Sequence, residues 1–261
     1  MDYRGAIIDV DGTVVRGKTP ISGAVAGIER LRAAGIDPLF VTNNPTKPAA
    51  AYVDRLSAAG IDVAADRVVT AGTVTTQYLQ QHHADAAIQL VADSGVRDQL
   101  ERTDLRLTAD EDATDVLVAS IDREFDYDDL CRALWTLDKP EVTFIGTDPD
   151  IVIPAAKRDM PGSGAIIRSI AAVAERQPDV MLGKPSAETL SVIETRLDVP
   201  LESCLVIGDR VDTDIALGAR AGMETVLVRS GVSDADDIAT ADPRPDHVVD
   251  TLEQVGSLLE R

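Results

Sequence analysis

The chain has few cysteines and no long apolar run. Its two cysteines, Cys131 and Cys204, lie far apart and outside any CxxC or CxxH spacing, so we expect packed thiols and neither a disulfide nor a zinc site. No apolar run approaches the roughly 18 residues that a membrane-spanning helix requires. The charged amino terminus reaches an acidic motif within nine residues, which argues against a signal peptide. The sequence therefore predicts a soluble, cytoplasmic protein.

Basic residues are also scarce, and lysine is the scarcest. The 261 residues include 45 acidic and 25 basic side chains, and only 5 of the basic ones are lysines. A net charge of −20 repels nucleic acids and anionic membranes, so neither is an expected partner. The acidic residues are 33 Asp and 12 Glu, which favours a halophilic protein whose self-repulsion is screened by concentrated salt. An ordinary acidic cytosolic protein is the alternative.

The segment 6–13, AIIDVDGT, carries the chemistry that the sequence indicates. Its apolar run predicts a short buried parallel strand that ends at Asp9 and Asp11, followed by Gly12. Side-chain alternation places both carboxylates on one side, at the strand end where open α/β sheets bind ligands. Two adjacent acids need a cation or a shared proton to coexist. A carboxylate beside a hard cation can attack phosphorus, and its neighbour can transfer a proton.

Two further predicted strands end in groups suited to phosphate. The strand at 38–41 is followed by Thr42, Asn43 and Asn44, whose hydroxyl and amide groups can donate to phosphate oxygens or simply form a polar turn. The strand at 180–182 leads into a Gly/Pro turn that contains Lys184. Its ammonium could hold a phosphoryl group, although a single loop lysine is often incidental.

A second acidic cluster follows the predicted strand at 204–207. Asp209 at the strand end is a candidate Mg²⁺ ligand, because Mg²⁺ prefers oxygen ligands. We expect Asp212 to cap the next helix, whereas Asp214 could bind or support the metal.

The middle of the chain predicts a small α/β unit of its own. From about residue 84, strands alternate with a helix at 127–137, in which Trp135 is expected to pack in the core. The turn at 146–150 is either a hairpin connection or a loop over the site. The segment 161–164 returns the chain to the first domain through a helix. The prediction is an α/β fold with a core domain of residues 1–78 and 180–261 and an inserted domain of residues 79–179.

Five motifs occur in an order that identifies a resemblance covering essentially the whole chain: DVDGT at 9–13, VTNN at 41–44, PGSG at 161–164, GKP at 183–185 and GDRVDTD at 208–214. The sequence resembles the haloacid dehalogenase superfamily, in the branch of NagD-like, 4-nitrophenyl-phosphatase-like and phosphoglycolate-phosphatase-like enzymes. The resemblance implies a Rossmann-like parallel sheet core. It also implies that the inserted α/β domain is a cap that closes over the site and selects the substrate.

The resemblance implies a role for each strand end. Asp9 would be the nucleophile that becomes an aspartyl-phosphate, and Asp11 the acid and base. Mg²⁺ would be held by the Asp9 carboxylate, the Asp11 backbone carbonyl and the Asp209 carboxylate, with Asp214 in support. The phosphoryl oxygens would be bound or bordered by Thr42, Asn43, Asn44 and Lys184.

The expected activity is Mg²⁺-dependent hydrolysis of a small phosphorylated metabolite. A nucleotide or sugar phosphatase and a catalytically silent phosphometabolite-binding protein are the alternatives, and a homodimer through the cap is possible for this family. Two positions depart from the resembling family: relatives commonly have asparagine at Asp148 and serine at Pro45. An acid at position 148 would disfavour strongly anionic leaving groups.

Overall fold

The computed structural model describes residues 3–154 and 158–258 and divides the chain into two compact units. The first unit contains Met1–Thr42, Ala49–Val69 and Lys184–Arg261, and the second contains Asn43–Pro48 and Thr70–Gly183. The second unit thus begins earlier than the insertion predicted from residue 79. The predicted boundary falls inside a helix, Ala71–His82, which continues without a break.

A six-stranded sheet lies at the centre of the first unit. Its strands are β1 (Gly5–Ile8), β4 (Asp37–Thr42), β5 (Val68–Thr70), β13 (Cys204–Gly208), β14 (Glu224–Val228) and β15 (His247–Val249). The spatial order is β15-β14-β13-β1-β4-β5, and β1 pairs in parallel with both β13 and β4. All four residues of β1 are buried, as expected for a central strand of a parallel sheet. A short hairpin, β2 (Val15–Arg16) and β3 (Thr19–Pro20), follows β1.

The first unit contains helices that, except for the last, bury part of their residues. They are α1 (Ala24–Ala33), α2 (Ala49–Ala58), α7 (Ala187–Arg196), α8 (Ala216–Ala221) and α9 (Ala235–Thr240). Helix α1 buries Ala24, Ile28 and Leu31, which recur at helical spacing. A 3₁₀ helix, Leu252–Leu258, follows the last strand of the sheet.

The second unit contains a five-stranded parallel sheet. Its strands are β6 (Ala87–Val91), β7 (Arg106–Leu107), β8 (Val116–Ala119), β9 (Thr143–Gly146) and β12 (Val180–Met181), in the order β12-β9-β8-β6-β7. Its helices are α3 (Ala71–His82), α4 (Ser94–Glu101), α5 (Tyr127–Leu137) and α6 (Ser163–Val173). Two parallel sheets with helices confirm the predicted α/β class. Within the described ranges, no helix is long and apolar enough to cross a membrane.

One prediction about the second unit is wrong, and one of the two alternatives left open for another segment is excluded. Trp135 is 60% exposed, because α5 buries the face formed by Ala133, Thr136 and Leu137 and leaves Trp135 outside it. The turn at 146–150 is not a hairpin connection: β9 pairs in parallel within the large sheet, whereas the next strand, β10 (Val152–Ile153), pairs with β11 (Met160–Pro161). Cys131 and Cys204 are free thiols, as predicted.

Candidate active site

The loop that follows β1 places Asp9 in the interior of the first unit. Its backbone amide continues the sheet pairing by donating to the carbonyl of Ile207 at 2.9 Å, and its side chain is buried. The loop then turns at Gly12, which has a φ of 103°. A Cβ at Gly12 would lie 2.4 Å from Oδ2 of Asp209, so only glycine lets the two acidic loops approach this closely.

Lys184 is the buried cation of the site. Its Nζ donates to Asp9 Oδ1 at 2.6 Å, to Asp214 Oδ1 at 2.7 Å and to the carbonyl of Val41 at 2.9 Å. Burial alone would lower the pKa of Lys184, but the neighbouring carboxylates Asp214 and Asp9 outweigh burial and raise it. The ammonium therefore stays charged and holds together two acids that come from distant parts of the sequence.

Asp209 follows the last residue of β13 and is fixed by two donors. The backbone amide of Val232 donates to its Oδ2 at 2.7 Å, and the Thr13 hydroxyl donates to its Oδ1 at 3.3 Å. A Cβ at Gly231 would lie 1.7 Å from the same Oδ2, so the backbone must be glycine where it passes the carboxylate. Burial, followed by the charge of Asp214, raises the pKa of Asp209 to about 6.

The segment after β13 forms a wide turn that buries Asp214. The amide of Ile215 donates to the carbonyl of Arg210, five residues back, at 3.2 Å. Asp214 Oδ2 accepts from the Arg210 amide at 3.1 Å, while its Oδ1 faces Lys184. Asp212 does not cap a helix, contrary to the prediction. Its exposed carboxylate forms an ion pair with the Arg210 side chain, because the wide turn points it into solvent.

Three buried carboxylates in this cluster are arranged to hold a metal ion. Asp9, Asp209 and Asp214 each offer one oxygen, and these oxygens lie within 4.8 Å of one another. Asp9 Oδ2 is buried and accepts a hydrogen bond from none of the described residues, which is costly unless a cation fills that role. Burial raises the pKa of Asp9 well above its ordinary value despite the nearby Lys184. Because three carboxylates face one ammonium, a divalent cation with oxygen ligands fits both the charge and the donor set.

Asp11 lies beside this cluster and has a different environment. Its side chain is 44% exposed, and Arg55 Nη2 lies 2.7 Å from its Oδ1. The Tyr52 hydroxyl and the Thr42 hydroxyl donate to its Oδ2 at 3.0 and 3.4 Å. Burial and the charge of Asp11 raise the pKa of Tyr52 well above 10, so its hydroxyl remains a donor. Sequence reasoning found Thr42 but missed Tyr52 and Arg55, which α2 presents on one face.

The asparagines after β4 have partners in the second unit, to which both belong. The Asn43 side chain is buried, and its amide donates to Asp150 Oδ1 at 3.3 Å. Asn44 Oδ1 accepts from the backbone amide and the hydroxyl of Thr46, at 2.9 and 2.8 Å. Asn44 therefore shapes the turn, which is the structural alternative considered for this segment.

Asp148, also in the second unit, is buried with only 2% of its surface exposed. Thr147 donates its hydroxyl to Asp148 Oδ2 at 3.1 Å, and the Asp150 amide donates to Oδ1 at 3.3 Å. Burial, followed by the charge of Asp150, raises the pKa of Asp148 to about 8. The carboxyl is therefore mainly neutral at pH 7, which removes the charge on which the expected disfavour for anionic leaving groups depended.

Comparisons with known proteins cover nearly the full length of this chain and agree on its family. Residues 6–106 match a family described as haloacid dehalogenase-like hydrolase, and residues 181–255 match one described as HAD-hydrolase-like. The acid sugar phosphatase of Staphylococcus haemolyticus is 31% identical over 260 residues, covering 100% of this chain and 98% of the relative. The 5'-nucleotidase YutF of Bacillus subtilis is 30% identical, covering 96% of each chain. The structure of a p-nitrophenyl phosphatase from Archaeoglobus fulgidus superposes with a TM-score of 0.90 at 29% identity, covering 99% of this chain and 100% of that one.

Proposed function

We propose that this chain hydrolyses small phosphomonoesters with Mg²⁺ through an aspartyl-phosphate on Asp9. The chain belongs to the haloacid dehalogenase-like hydrolases and is a phosphatase of the NagD-like branch. The observation that carries the proposal is the buried cluster of Asp9, Lys184, Asp209 and Asp214. One oxygen of Asp9 is held by Lys184, and the other is buried with no donor among the described residues. Asp9 is therefore oriented as a nucleophile and not neutralised in a closed ion pair.

The metal site in this proposal uses the carboxylates of Asp9 and Asp209 and the backbone carbonyl of Asp11. Asp214 supports it, because its two oxygens already accept hydrogen bonds from Lys184 and from the Arg210 amide. When bound, Mg²⁺ would supply positive charge to the phosphoryl oxygens and offset the carboxylates. The proposed phosphate ligands from the protein are Thr42, Asn43, Asn44 and Lys184.

The two aspartates divide the chemistry between them. An Asp9 oxygen attacks phosphorus and forms a new P–O bond while the bond to the leaving alcohol breaks. In its protonated form, Asp11 gives a proton to that alcohol and becomes the carboxylate. Water then attacks the phosphorus, the bond to Asp9 breaks, and Asp11 takes the proton from the water. The Lys184 ammonium, fixed by three acceptors, is placed to stabilise the charge that is transferred.

Release of 4-nitrophenol from 4-nitrophenyl phosphate tests this assignment. We expect hydrolysis that requires Mg²⁺ and stops on chelation, and a loss of at least about a thousandfold in Asp9→Asn, the scale seen when a covalent nucleophile is removed. Asp212→Asn is the matched control, because Asp212 is an exposed acid of the same region and pairs only with Arg210 among the interactions described for its side chain. It should retain wild-type activity.

Trapping the intermediate sharpens the test. Acid quenching after brief exposure to substrate labelled with ³²P should leave label on the wild-type protein, removable by hydroxylamine, and none on Asp9→Asn. Metal-dependent phosphate binding without turnover would instead indicate a phosphometabolite-binding protein. Because the relatives include a sugar phosphatase and a nucleotidase, sugar phosphates, nucleoside 5'-monophosphates and phosphoglycolate form the substrate panel.

A further inference from the structure

Both oxygens of the Asp11 carboxylate are held by side chains that the chemistry above does not use. Arg55 forms an ion pair with Oδ1 at 2.7 Å, and the Tyr52 hydroxyl donates to Oδ2 at 3.0 Å. With two donors on different oxygens, the carboxylate plane is fixed and not free to rotate. The side chain is still 44% exposed, so one edge of the carboxylate remains open to a reacting group.

Tyr52 and Arg55 form a rigid support on helix α2. They are three residues apart and therefore lie on the same face of the helix. Tyr52 is completely buried in the apolar core of the first unit. The Arg55 guanidinium lies 5.5 Å from the centre of the Tyr52 ring, and its Nε donates to the carbonyl of Gly17 at 2.5 Å. Core packing and this second anchor have already ordered both side chains, so holding Asp11 costs little further entropy.

Gly17 lies at the turn of the hairpin formed by β2 and β3. Its φ of 62° is the left-handed conformation that glycine adopts without strain. A single guanidinium therefore connects the hairpin turn to the Asp11 carboxylate. The hairpin begins only four residues after Asp11, so Arg55 closes a short loop around the acid.

We propose that Arg55 and Tyr52 are positioning residues that fix the Asp11 carboxylate for proton transfer to the leaving group. The inference rests on the proposed role of Asp11 as the acid. Displacement of a catalytic group by about 1 Å can cost about a hundredfold in rate. Loss of either donor should therefore slow the step that needs the proton and leave attack by Asp9 intact.

A series of aryl phosphates separates positioning from mere folding. Phenyl phosphate releases a poor leaving group that needs a proton, whereas 2,4-dinitrophenyl phosphate releases a stable anion that does not. The quantity measured is kcat/KM, because it covers the steps up to departure of the leaving group. A purely structural defect lowers the amount of active enzyme and reduces both substrates by the same factor.

The variants are Arg55→Met, Arg55→Lys and Tyr52→Phe. For Arg55→Met we expect kcat/KM to fall about 10- to 100-fold with phenyl phosphate and less than about threefold with 2,4-dinitrophenyl phosphate. The loss with phenyl phosphate is part of the roughly 10²- to 10⁴-fold that general acid–base catalysis contributes. Arg55→Lys should restore part of the loss because its ammonium can still donate to Oδ1 of Asp11. The matched control is Arg67→Met: Arg67 is also partly buried in the first unit and pairs with Asp37, and both substrates should change equally and by less than about twofold.

Asp11→Asn separates the failure of this inference from the failure of the proposed function. It should show the same leaving-group dependence, only larger. If Asp11→Asn loses activity selectively but the Arg55 and Tyr52 variants lose both substrates equally or neither, the positioning role is refuted and the acid stands. If Asp11→Asn shows no selectivity, both the acid and its positioning residues are refuted. Should Arg55→Met not fold, Tyr52→Phe still decides the matter, because it removes one oxygen from an otherwise intact buried ring.

Discussion

The buried carboxyl group of Asp148 should make the stability of this protein depend on pH in a way that one substitution removes. The group is fully enclosed in the second unit, its oxygens accept hydrogen bonds from Thr147 and Asp150, and burial followed by the charge of Asp150 raises its pKa to about 8. Asp148→Asn keeps the size and planar shape of the neutral carboxyl and cannot ionise. The comparison of the two proteins therefore isolates one titration.

The size and sign of the effect follow from linkage. The pKa of Asp148 is 3.8 in the absence of structure and about 8 in the folded protein. At about 1.4 kcal/mol per pH unit, this difference corresponds to about 6 kcal/mol. Because the folded-state pKa is the higher one, the stability that the neutral carboxyl provides is complete below pH 4 and is lost as pH rises to 8. The free energy of unfolding of the wild type should therefore fall, relative to Asp148→Asn, by about 1.4 kcal/mol per pH unit between these values.

Urea unfolding followed by circular dichroism at several pH values measures this difference directly. Titration of the acidic groups that are remote from Asp148 is shared by the two proteins and cancels in the comparison. Asp138→Asn is the matched control, since Asp138 is an exposed acid at the end of α5 in the same unit, and its curve should run parallel to the wild type. If the unfolding free energies of the wild type and Asp148→Asn change in parallel between pH 4 and 8, the reasoning is refuted. Asp148 would then be charged in the folded protein at pH 7.

Four other outcomes are expected. Lys184→Met leaves Asp9 and Asp214 buried without their cation, so it should cost about 3–5 kcal/mol of unfolding free energy, measured by urea denaturation, as well as activity. Mg²⁺ at about 100 times its Kd should stabilise the wild type by about 3 kcal/mol in a thermal-shift assay and stabilise Asp209→Asn much less. Gly231→Ala places a methyl group on the Asp209 carboxylate and should weaken Mg²⁺ binding in the same assay. If the protein is halophilic, its melting temperature should fall after dialysis from molar salt into dilute buffer, and an unchanged value would contradict that interpretation.

The sequence predicted the buried cluster because its members share one local signal. Asp9 and Asp209 directly follow short apolar runs, and the carboxyl ends of parallel strands meet at one edge of a sheet. Lys184 was identifiable because lysine is so scarce here that one placed in a Gly/Pro turn stands out. Parallel pairing of β1 with β13 then brings together residues that are 200 positions apart.

The support of Asp11 carries no such local signal. On α2, an aromatic Tyr52 is expected in the core, where it is indeed buried, and a charged Arg55 is expected at the surface. Only the approach of α2 to the loop after β1 turns the hydroxyl and the guanidinium into donors for Asp11. Asp212 shows the same limit, because an acid early in a predicted helix indicates a cap until the backbone is known to form a wider turn.

The position of β1 between β13 and β4 has a consequence for the order in which the protein can form during synthesis. Strand β1 leaves the ribosome long before β13. The edge of β1 that pairs with β13 therefore stays unpaired while the entire second unit is made. Apart from the short segment Asn43–Pro48, the second unit is one continuous stretch, Thr70–Gly183. It has its own parallel sheet, so it can collapse first. Asp9 receives Lys184, Asp209 and Asp214 only when the last third of the chain docks. Nascent or truncated chains that end before that point contain an incomplete sheet and an Asp9 carboxylate without its cation, so they should not hydrolyse phosphate esters.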